Sequence, residues 1–185
     1  MTTIAWDGKT LAADKACHFG DLTISMTKIH RIVLKARHNP NSPRDEDVLI
    51  ALIGETSHAQ EVAWALSSGG PIPSFADSDS SKNTTIGPCV VVIFQDGNVA
   101  EISEMGKWAV FGTLATFARG KGEDFVSGAL EAGVSAVGAV ALAMKRGLAG
   151  EGISWASFKY PVTEWNFHPC GSPLPERLFV RDNRG

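Results

Sequence analysis

The chain begins with two short runs that contain consecutive apolar residues, Ile4-Ala5-Trp6 and Lys9-Thr10-Leu11-Ala12-Ala13, one on each side of Asp7-Gly8. An Asp-Gly pair between two such runs favours a type I′ hairpin with a two-residue turn. Pairing outward from that turn places Thr2 opposite Ala13, so that the following Asp14 lies one step from Thr2. Cross-strand neighbours lie roughly 5 Å apart, which brings the Asp14 carboxylate within reach of Thr2 or of a cation beside it.

Further apolar runs predict more strands. Residues 22–26 and 28–32 alternate, which predicts one or two further strands of the same sheet after a turn at Gly20-Asp21. A second Asp-Gly turn, at residues 96–97, predicts another hairpin. The remaining predicted strands, including the two that this hairpin joins, are 48–53, 89–94, 99–103, 108–112 and 153–160.

Helical spacing of apolar residues occurs in two regions. The first predicted helix begins at Thr56 or Ser57 and ends before the Ser-Ser-Gly-Gly-Pro run at residues 67–71. The second region predicts two successive helices, with a break around Gly133 and a new N-cap at Ser135. The last of these helices runs from about Ala136 to Arg146 and ends at Gly147.

The polar stretches 37–47 and 74–83 are predicted surface loops. A tail rich in proline and aromatic residues follows Pro161, and it is expected to pack on the domain or on a neighbouring subunit. At 185 residues with 44% apolar content, the chain suits a single domain over residues 1–185, with a C-terminal extension from about 161.

Charge, apolar content and cysteine count argue against several classes of protein. A formal net charge of −3 gives no electrostatic reason to expect nucleic-acid binding. No signal peptide or long apolar span is evident, so a soluble cytoplasmic protein without membrane association is expected. Three cysteines, an odd number, fit a reducing compartment better than a disulfide framework. The pairs Cys17-His18 and His168-Pro169-Cys170 lack the spacing of a zinc site.

Thr2 is the candidate nucleophile. Methionine aminopeptidases generally remove Met1 when a small residue follows, which would free the Thr2 α-amine. That amine, with a reference pKa of about 7.7 to 8.0, could accept the proton of the Thr2 hydroxyl. Lys28, paired with Asp14, could hold positive charge beside the hydroxyl. Taken alone, Thr2 would simply begin a strand and Lys28 would be a solvated strand residue.

Three segments together carry a family resemblance. Residues 2–4 (TTI), 11–14 (LAAD) and 27–29 (TKI) resemble the catalytic pattern of proteasome β subunits, the bacterial HslV peptidase and their smaller bacterial and phage relatives. These are N-terminal-nucleophile hydrolases of the threonine peptidase type. The resemblance implies an α+β fold, a four-layer αββα sandwich of mainly antiparallel sheets. It also implies Thr2 as nucleophile and base, with Asp14 and Lys28 as its charge partners.

The resemblance assigns further positions by analogy. Gly54, between a strand and a helix, matches the glycine whose N–H helps to form the oxyanion hole. The residue could equally serve only to end the strand before the helix begins. Lys121 matches the serine of a Gly-Ser-Gly loop beside the threonine amine. The pocket for the side chain preceding the cleaved bond would be apolar and would be formed by Cys17, Met26, His30 and Leu52. Relatives act on polypeptides in homo-oligomeric rings, often with an ATP-dependent unfoldase, and need no metal or organic cofactor.

Two departures from the family pattern define the alternatives. Lys121 replaces the serine, and residues 146–152 (RGLAGEG) carry glycines where relatives supply an aspartate and a serine. An alignment through Gly112-Thr113 would retain a hydroxyl, but its neighbouring residues match less well. The departures favour a catalytically impaired ring or scaffold protein as one alternative to a threonine endopeptidase. A small-molecule amidase that uses the same terminus is another.

Overall fold

The computed structural model describes residues 2–19, 22–74 and 88–165 of the chain. The chain divides into two compact units, one formed by Met1–Ile29 and Ala115–Gly185 and the other by His30–Leu114. No helix in the described ranges is long and apolar enough to cross a membrane.

The described strands and helices follow one another in this order: β1 (Thr3–Trp6), β2 (Leu11–Asp14), β3 (Ala16–Phe19), β4 (Leu22–Ser25), β5 (Ile29–Leu34), a 3-10 turn (Ala36–His38), β6 (Glu46–Leu52), α1 (Thr56–Ser68), β7 (Pro88–Ile93), β8 (Asn98–Ser103), β9 (Trp108–Thr113), β10 (Phe117–Gly120), α2 (Glu123–Glu131), α3 (Ala136–Lys145), β11 (Ile153–Ala156) and β12 (Thr163–Trp165).

The first unit contains a five-stranded sheet in the order β10-β1-β2-β11-β12. Each of its neighbouring strand pairs is antiparallel. The two N-terminal strands therefore lie inside the sheet, flanked by strands that come more than one hundred residues later in the chain. Strands β10 and β12 were not predicted from the sequence. Strand β11 is shorter than the predicted run 153–160.

The predicted hairpin forms, but its predicted register is wrong. Ile4 lies opposite Ala13 and Trp6 opposite Leu11, so the pairing is shifted by two residues from that of a two-residue turn at Asp7-Gly8. The cause is the Asp7 side chain, whose Oδ1 accepts hydrogen bonds from the backbone N–H groups of Lys9 and Thr10. Asp7 N also donates to the Thr10 carbonyl oxygen at 3.3 Å, so the turn is centred on Gly8-Lys9 instead of Asp7-Gly8.

The predicted placement of residues 22–32 in the same sheet is also wrong. Among the strands that the structure describes, β4 pairs with β3 in a separate two-stranded sheet, and β5 lies at the edge of the second unit's sheet. Alternation shows which face of a strand is buried, but it does not identify the neighbouring strand. The predicted turn at Gly20-Asp21 lies outside the described residues.

Helices α2 and α3 pack on one face of the first unit's sheet. The predicted break and cap are confirmed: Gly133 has a positive φ of 86°, and the Ser135 side chain accepts a hydrogen bond from Gly138 N at the start of α3. Small residues let α3 approach the strands closely, because Ala139, Ala143 and the strand residues Ala5 and Ala12 share one buried cluster.

The second unit contains a five-stranded sheet in the order β5-β6-β7-β8-β9, in which the pairs β6-β7, β7-β8 and β8-β9 are antiparallel. The predicted buried strand at 48–53 is confirmed by β6, in which residues 48–52 are all buried. The second Asp-Gly hairpin, between β7 and β8, is also confirmed. Helix α1 contacts β6 and β7 and ends at Gly69 in the left-handed conformation, close to its predicted end.

Each unit is thus a sheet with helical cover, which is one αβ half of the predicted αββα fold. The α+β class with mainly antiparallel sheets is confirmed. Most of the predicted loop at 74–83, and the tail beyond Trp165, lie outside the described residues.

Candidate active site

The structure brings together the three side chains that the sequence singled out as a reaction centre. The Lys28 ammonium donates hydrogen bonds to Thr2 Oγ1 at 3.1 Å and to Asp14 Oδ2 at 3.2 Å. The Lys28 and Asp14 side chains are only 3% and 0% exposed, whereas Thr2 is half-buried. The buried ion pair therefore ends at a hydroxyl on a residue that solvent reaches.

Asp14 is held from several sides. Its Oδ1 accepts a 2.6 Å hydrogen bond from Thr3 N, and its Oδ2 accepts one from Gly150 N at 3.1 Å as well as the bond from Lys28. A buried carboxylate needs this many donors, because an unpaired charge out of water is costly. The register shift in the first hairpin explains the geometry, since Thr3 rather than Thr2 lies beside Asp14 on the neighbouring strand.

Thr3 is fully buried, and its hydroxyl is also bonded. Thr3 Oγ1 donates to the carbonyl oxygen of Leu148 at 2.8 Å and accepts from Gly122 N at 3.2 Å. The loop before α2 and the loop after α3 are both fastened to β1 through this one side chain.

Lys121 contacts Thr2 through its backbone and not through its side chain. Its N–H donates to the Thr2 carbonyl oxygen at 3.0 Å, while its side chain is exposed. The adjacent Gly120 has a φ of 101°, and a Cβ built on it would lie 2.0 Å from the Thr2 carbonyl oxygen. Only glycine fits there, because the chain adopts a left-handed conformation against the backbone of Thr2.

The glycine-rich loop after α3 contributes backbone groups where side chains were expected by resemblance. Gly150 supplies its N–H to Asp14, and a Cβ on Gly150 would lie 2.0 Å from the Ala16 Cβ. A serine at this position would collide with β3 unless the backbone moved. Gly147 ends α3 with a φ of 68°, and nothing lies within 4 Å of the position that a Cβ would take there.

The other predicted site residues divide between the two units. In the first unit, Cys17 is buried in β3 and Met26 is half-buried just after β4. In the second unit, His30 is half-buried in β5, Leu52 is buried at the end of β6, and Gly54 is exposed with a φ of 74°. The strand-glycine-helix order predicted around Gly54 is present. The roles assigned to these five residues stay predictions.

The sequence did not reveal Thr3, Gly122 and Gly150 as contributors to the site. Two of them act only through backbone N–H groups, which leave no side-chain pattern in a sequence. The sequence indicates Thr3 only weakly. Residues two apart in a strand lie on the same face, and Ala5 belongs to the buried cluster that includes the helices, so Thr3 is a polar residue on the face that packs against them.

No family model matches this sequence, and no curated protein matches it significantly. Solved structures do match. Anbu (ancestral beta-subunit) from Yersinia bercovieri aligns with a TM-score of 0.55 at 9% identity, over 92% of this chain and 88% of that chain.

A second match is the bacterial proteasome homologue BPH from Thiobacillus denitrificans, which aligns with a TM-score of 0.52 at 16% identity, over 91% of this chain and 98% of that one. The same protein in complex with epoxomicin gives a TM-score of 0.51 at 14% identity, over 91% and 99%. At these identities the likeness is one of fold. The chain has the proteasome-like fold of the N-terminal-nucleophile hydrolases, as the residue pattern implied.

Proposed function

We propose that this protein is a threonine endopeptidase whose nucleophile is the hydroxyl of Thr2, exposed as the chain terminus when Met1 is removed. The observation that carries the proposal is the position of the Lys28 ammonium, which bridges Thr2 Oγ1 and the buried Asp14 carboxylate at 3.1 and 3.2 Å. An ion pair that only stabilised the fold would not need a hydroxyl beside its cation. A nucleophilic hydroxyl does benefit from one, because the cation stabilises the negative charge that develops on the hydroxyl oxygen as its proton leaves.

The direction of the hydrogen bonds suits proton removal. An ammonium has only donors, so Thr2 Oγ1 accepts from Lys28, and the hydroxyl proton is left to point elsewhere. Once Met1 is gone, the neutral α-amine of Thr2 is an acceptor on the same residue. Asp14 balances the charge of Lys28 and, by accepting a hydrogen bond from it, helps to keep the ammonium beside the oxygen.

The reaction then follows from these groups. Thr2 Oγ attacks the carbonyl carbon of a peptide bond while the Thr2 α-amine takes the hydroxyl proton. The α-amine passes that proton to the departing amine, and an ester joins the acyl half of the substrate to Thr2. Water, activated by the same amine, hydrolyses the ester and restores the hydroxyl. In this proposal the N–H of Gly54 receives the oxyanion, and the exposed Lys121 lies at the edge of the site.

The proposed substrate is an unfolded polypeptide, cut after an apolar side chain held by Cys17, Met26, His30 and Leu52. The proposed assembly is a homo-oligomeric ring in the cytoplasm, which an ATP-dependent unfoldase could serve. The shared fold with BPH, which has been solved in complex with epoxomicin, supports an epoxyketone as the probe.

The test is the intact mass of the purified protein before and after incubation with epoxomicin. We expect a chain that lacks Met1 and gains one adduct, and we expect Thr2→Ala to gain none while Thr2→Ser still reacts. A wild-type chain that loses Met1 and remains unmodified would refute the proposal and favour the scaffold alternative. Adduct formation combined with cleavage of small amides but not of unfolded protein would favour the amidase.

The two buried lysines of the first unit provide a matched comparison. Lys15 also pairs with a carboxylate, that of Glu164, and its side chain is 6% exposed, but this carboxylate belongs to the edge strand β12. We expect Lys28→Met to slow adduct formation by about tenfold to hundredfold, the worth of one charge-assisted hydrogen bond, and Lys15→Met to leave the rate unchanged. Equal rates in the two variants would remove Lys28 from the mechanism.

A further inference from the structure

We propose that Thr3 is a positioning residue for the peptidase reaction, because its hydroxyl fastens the loop that fixes Asp14. This inference rests on the proposed function of Thr2. The backbone N–H of Thr3 bonds to Asp14 and its hydroxyl bonds to Leu148 and Gly122, so its effect on the reaction passes through Asp14.

The first step is that three hydrogen bonds converge on Thr3 in β1. Thr3 is fully buried, its N–H donates to Asp14 Oδ1, and its hydroxyl donates to the Leu148 carbonyl. The same hydroxyl accepts from Gly122 N. A buried threonine with both donor and acceptor capacity used is ordered rather than merely filling space.

The second step is that these bonds close a ring. Leu148, which accepts from the Thr3 hydroxyl, is two residues from Gly150, and Gly150 N donates to Asp14 Oδ2. Asp14 Oδ1 in turn accepts from Thr3 N. The ring therefore passes from Thr3 through Asp14, Gly150 and Leu148 back to Thr3.

The third step concerns the carboxylate itself. Both Asp14 oxygens are held by backbone N–H groups, so the carboxylate has one orientation, and Oδ2 faces Lys28 in that orientation. Without the hydroxyl of Thr3, the Leu148–Gly150 segment loses its anchor to β1, and the Gly150 N–H loses its fixed position. Lys28 then spends less time directed at Thr2 Oγ1.

The experiment compares Thr3→Val, which keeps the side-chain shape and removes both hydroxyl bonds, with Thr3→Ser, which keeps the hydroxyl. Thr163→Val is the matched control, because the Thr163 hydroxyl also donates to a loop carbonyl, that of Pro161, but on the exposed edge strand of the same sheet. The readouts are the saturation kinetics of epoxomicin adduct formation and the hydrogen exchange of the Gly150 amide.

We expect Thr3→Val to lower the maximal rate of adduct formation about tenfold, with the half-saturating concentration unchanged, because the probe's pocket is intact. Exchange of the Gly150 amide should accelerate in the same variant. Thr3→Ser and Thr163→Val should match wild type in both measurements. If the valine variant is not folded, Thr3→Ala removes the hydroxyl without leaving a methyl group against the Leu148 carbonyl.

An unchanged maximal rate in the folded valine or alanine variant would overturn the inference, and so would unchanged protection of the Gly150 amide. A wild-type protein that forms no adduct would instead refute the proposed function. In that event the exchange of the Gly150 amide still decides whether Thr3 holds the loop, since that measurement needs only the folded protein.

Discussion

Substituting alanine for Gly150 would test how tightly the loop after α3 is packed against the strands of the site. Gly150 does not have a positive φ, so its backbone conformation is open to alanine, and only space is limiting. A Cβ at this position would lie 2.0 Å from the Ala16 Cβ, 3.2 Å from the Ala16 Cα and 2.8 Å from Asp14 Oδ2. Ala16 presents only its methyl group and backbone, and hydrogen bonds hold the Asp14 carboxylate in place, so the loop itself must move.

Two costs add in the Gly150→Ala variant. Forcing one methyl group into a packed region costs about 1–3 kcal/mol, and losing the hydrogen bond to the Asp14 carboxylate costs about 1.5–3 kcal/mol. We expect a total loss of about 2.5–6 kcal/mol in the free energy of unfolding. For a chain of this length, each kcal/mol lowers Tm by about 2–4 °C, so Tm should fall by about 5–24 °C.

The assay is thermal unfolding followed by circular dichroism. The double variant with Ala16→Gly removes the atom at 2.0 Å, and it should recover about 1–3 kcal/mol relative to Gly150→Ala. Gly147→Ala, in the same loop but with nothing within 4 Å of its Cβ position, controls for the loop and should cost about 1–2 kcal/mol from its positive φ alone. A Gly150→Ala protein as stable as wild type, or a double variant no more stable than the single one, would refute this packing.

Two further stability predictions concern the helices of the first unit. Ser135→Ala removes the side chain that accepts from Gly138 N at the start of α3, so the free energy of unfolding should fall by about 0.5–2 kcal/mol in chemical denaturation. No change would mean that water replaces the cap fully. Gly128→Ala, at an exposed position inside α2 with nothing within 4 Å, should raise the free energy of unfolding by about 0.5–1 kcal/mol in the same assay. A destabilised Gly128→Ala variant would show that a neighbour covers this face.

The sequence predicted local structure well where the cause is local. The cap at Ser135, the break at Gly133 and the end of α1 at Gly69 depend on residues within one turn of helix, and each is present. The predicted register of the first hairpin was wrong because both carboxylate oxygens of Asp7 accept backbone hydrogen bonds. One oxygen caps the turn, and the other accepts a hydrogen bond from Ala136 N, which is remote in sequence.

In the candidate site, the contacts between side chains were predicted and the contacts from backbone groups were not. The proximity of Thr2, Asp14 and Lys28 was predicted, and the structure has the three side chains in contact. The supporting bonds from Gly122 and Gly150 could not be predicted, because every residue except proline carries a backbone N–H. Which N–H reaches Asp14 depends on where the loop after α3 lies, and that position is a tertiary property.

The central place of β1 and β2 in their sheet bears on how the protein folds. Their outer neighbours, β10 and β11, begin at Phe117 and Ile153, so the N-terminal hairpin gains its outer partners only after nearly all of the described chain has been synthesised. Contacts between such distant residues make folding slow. Asp14 gains its bond from Gly150 only at that late stage. The Asp14 carboxylate, which pairs with Lys28 beside Thr2, therefore acquires its full set of backbone donors only when folding is nearly complete.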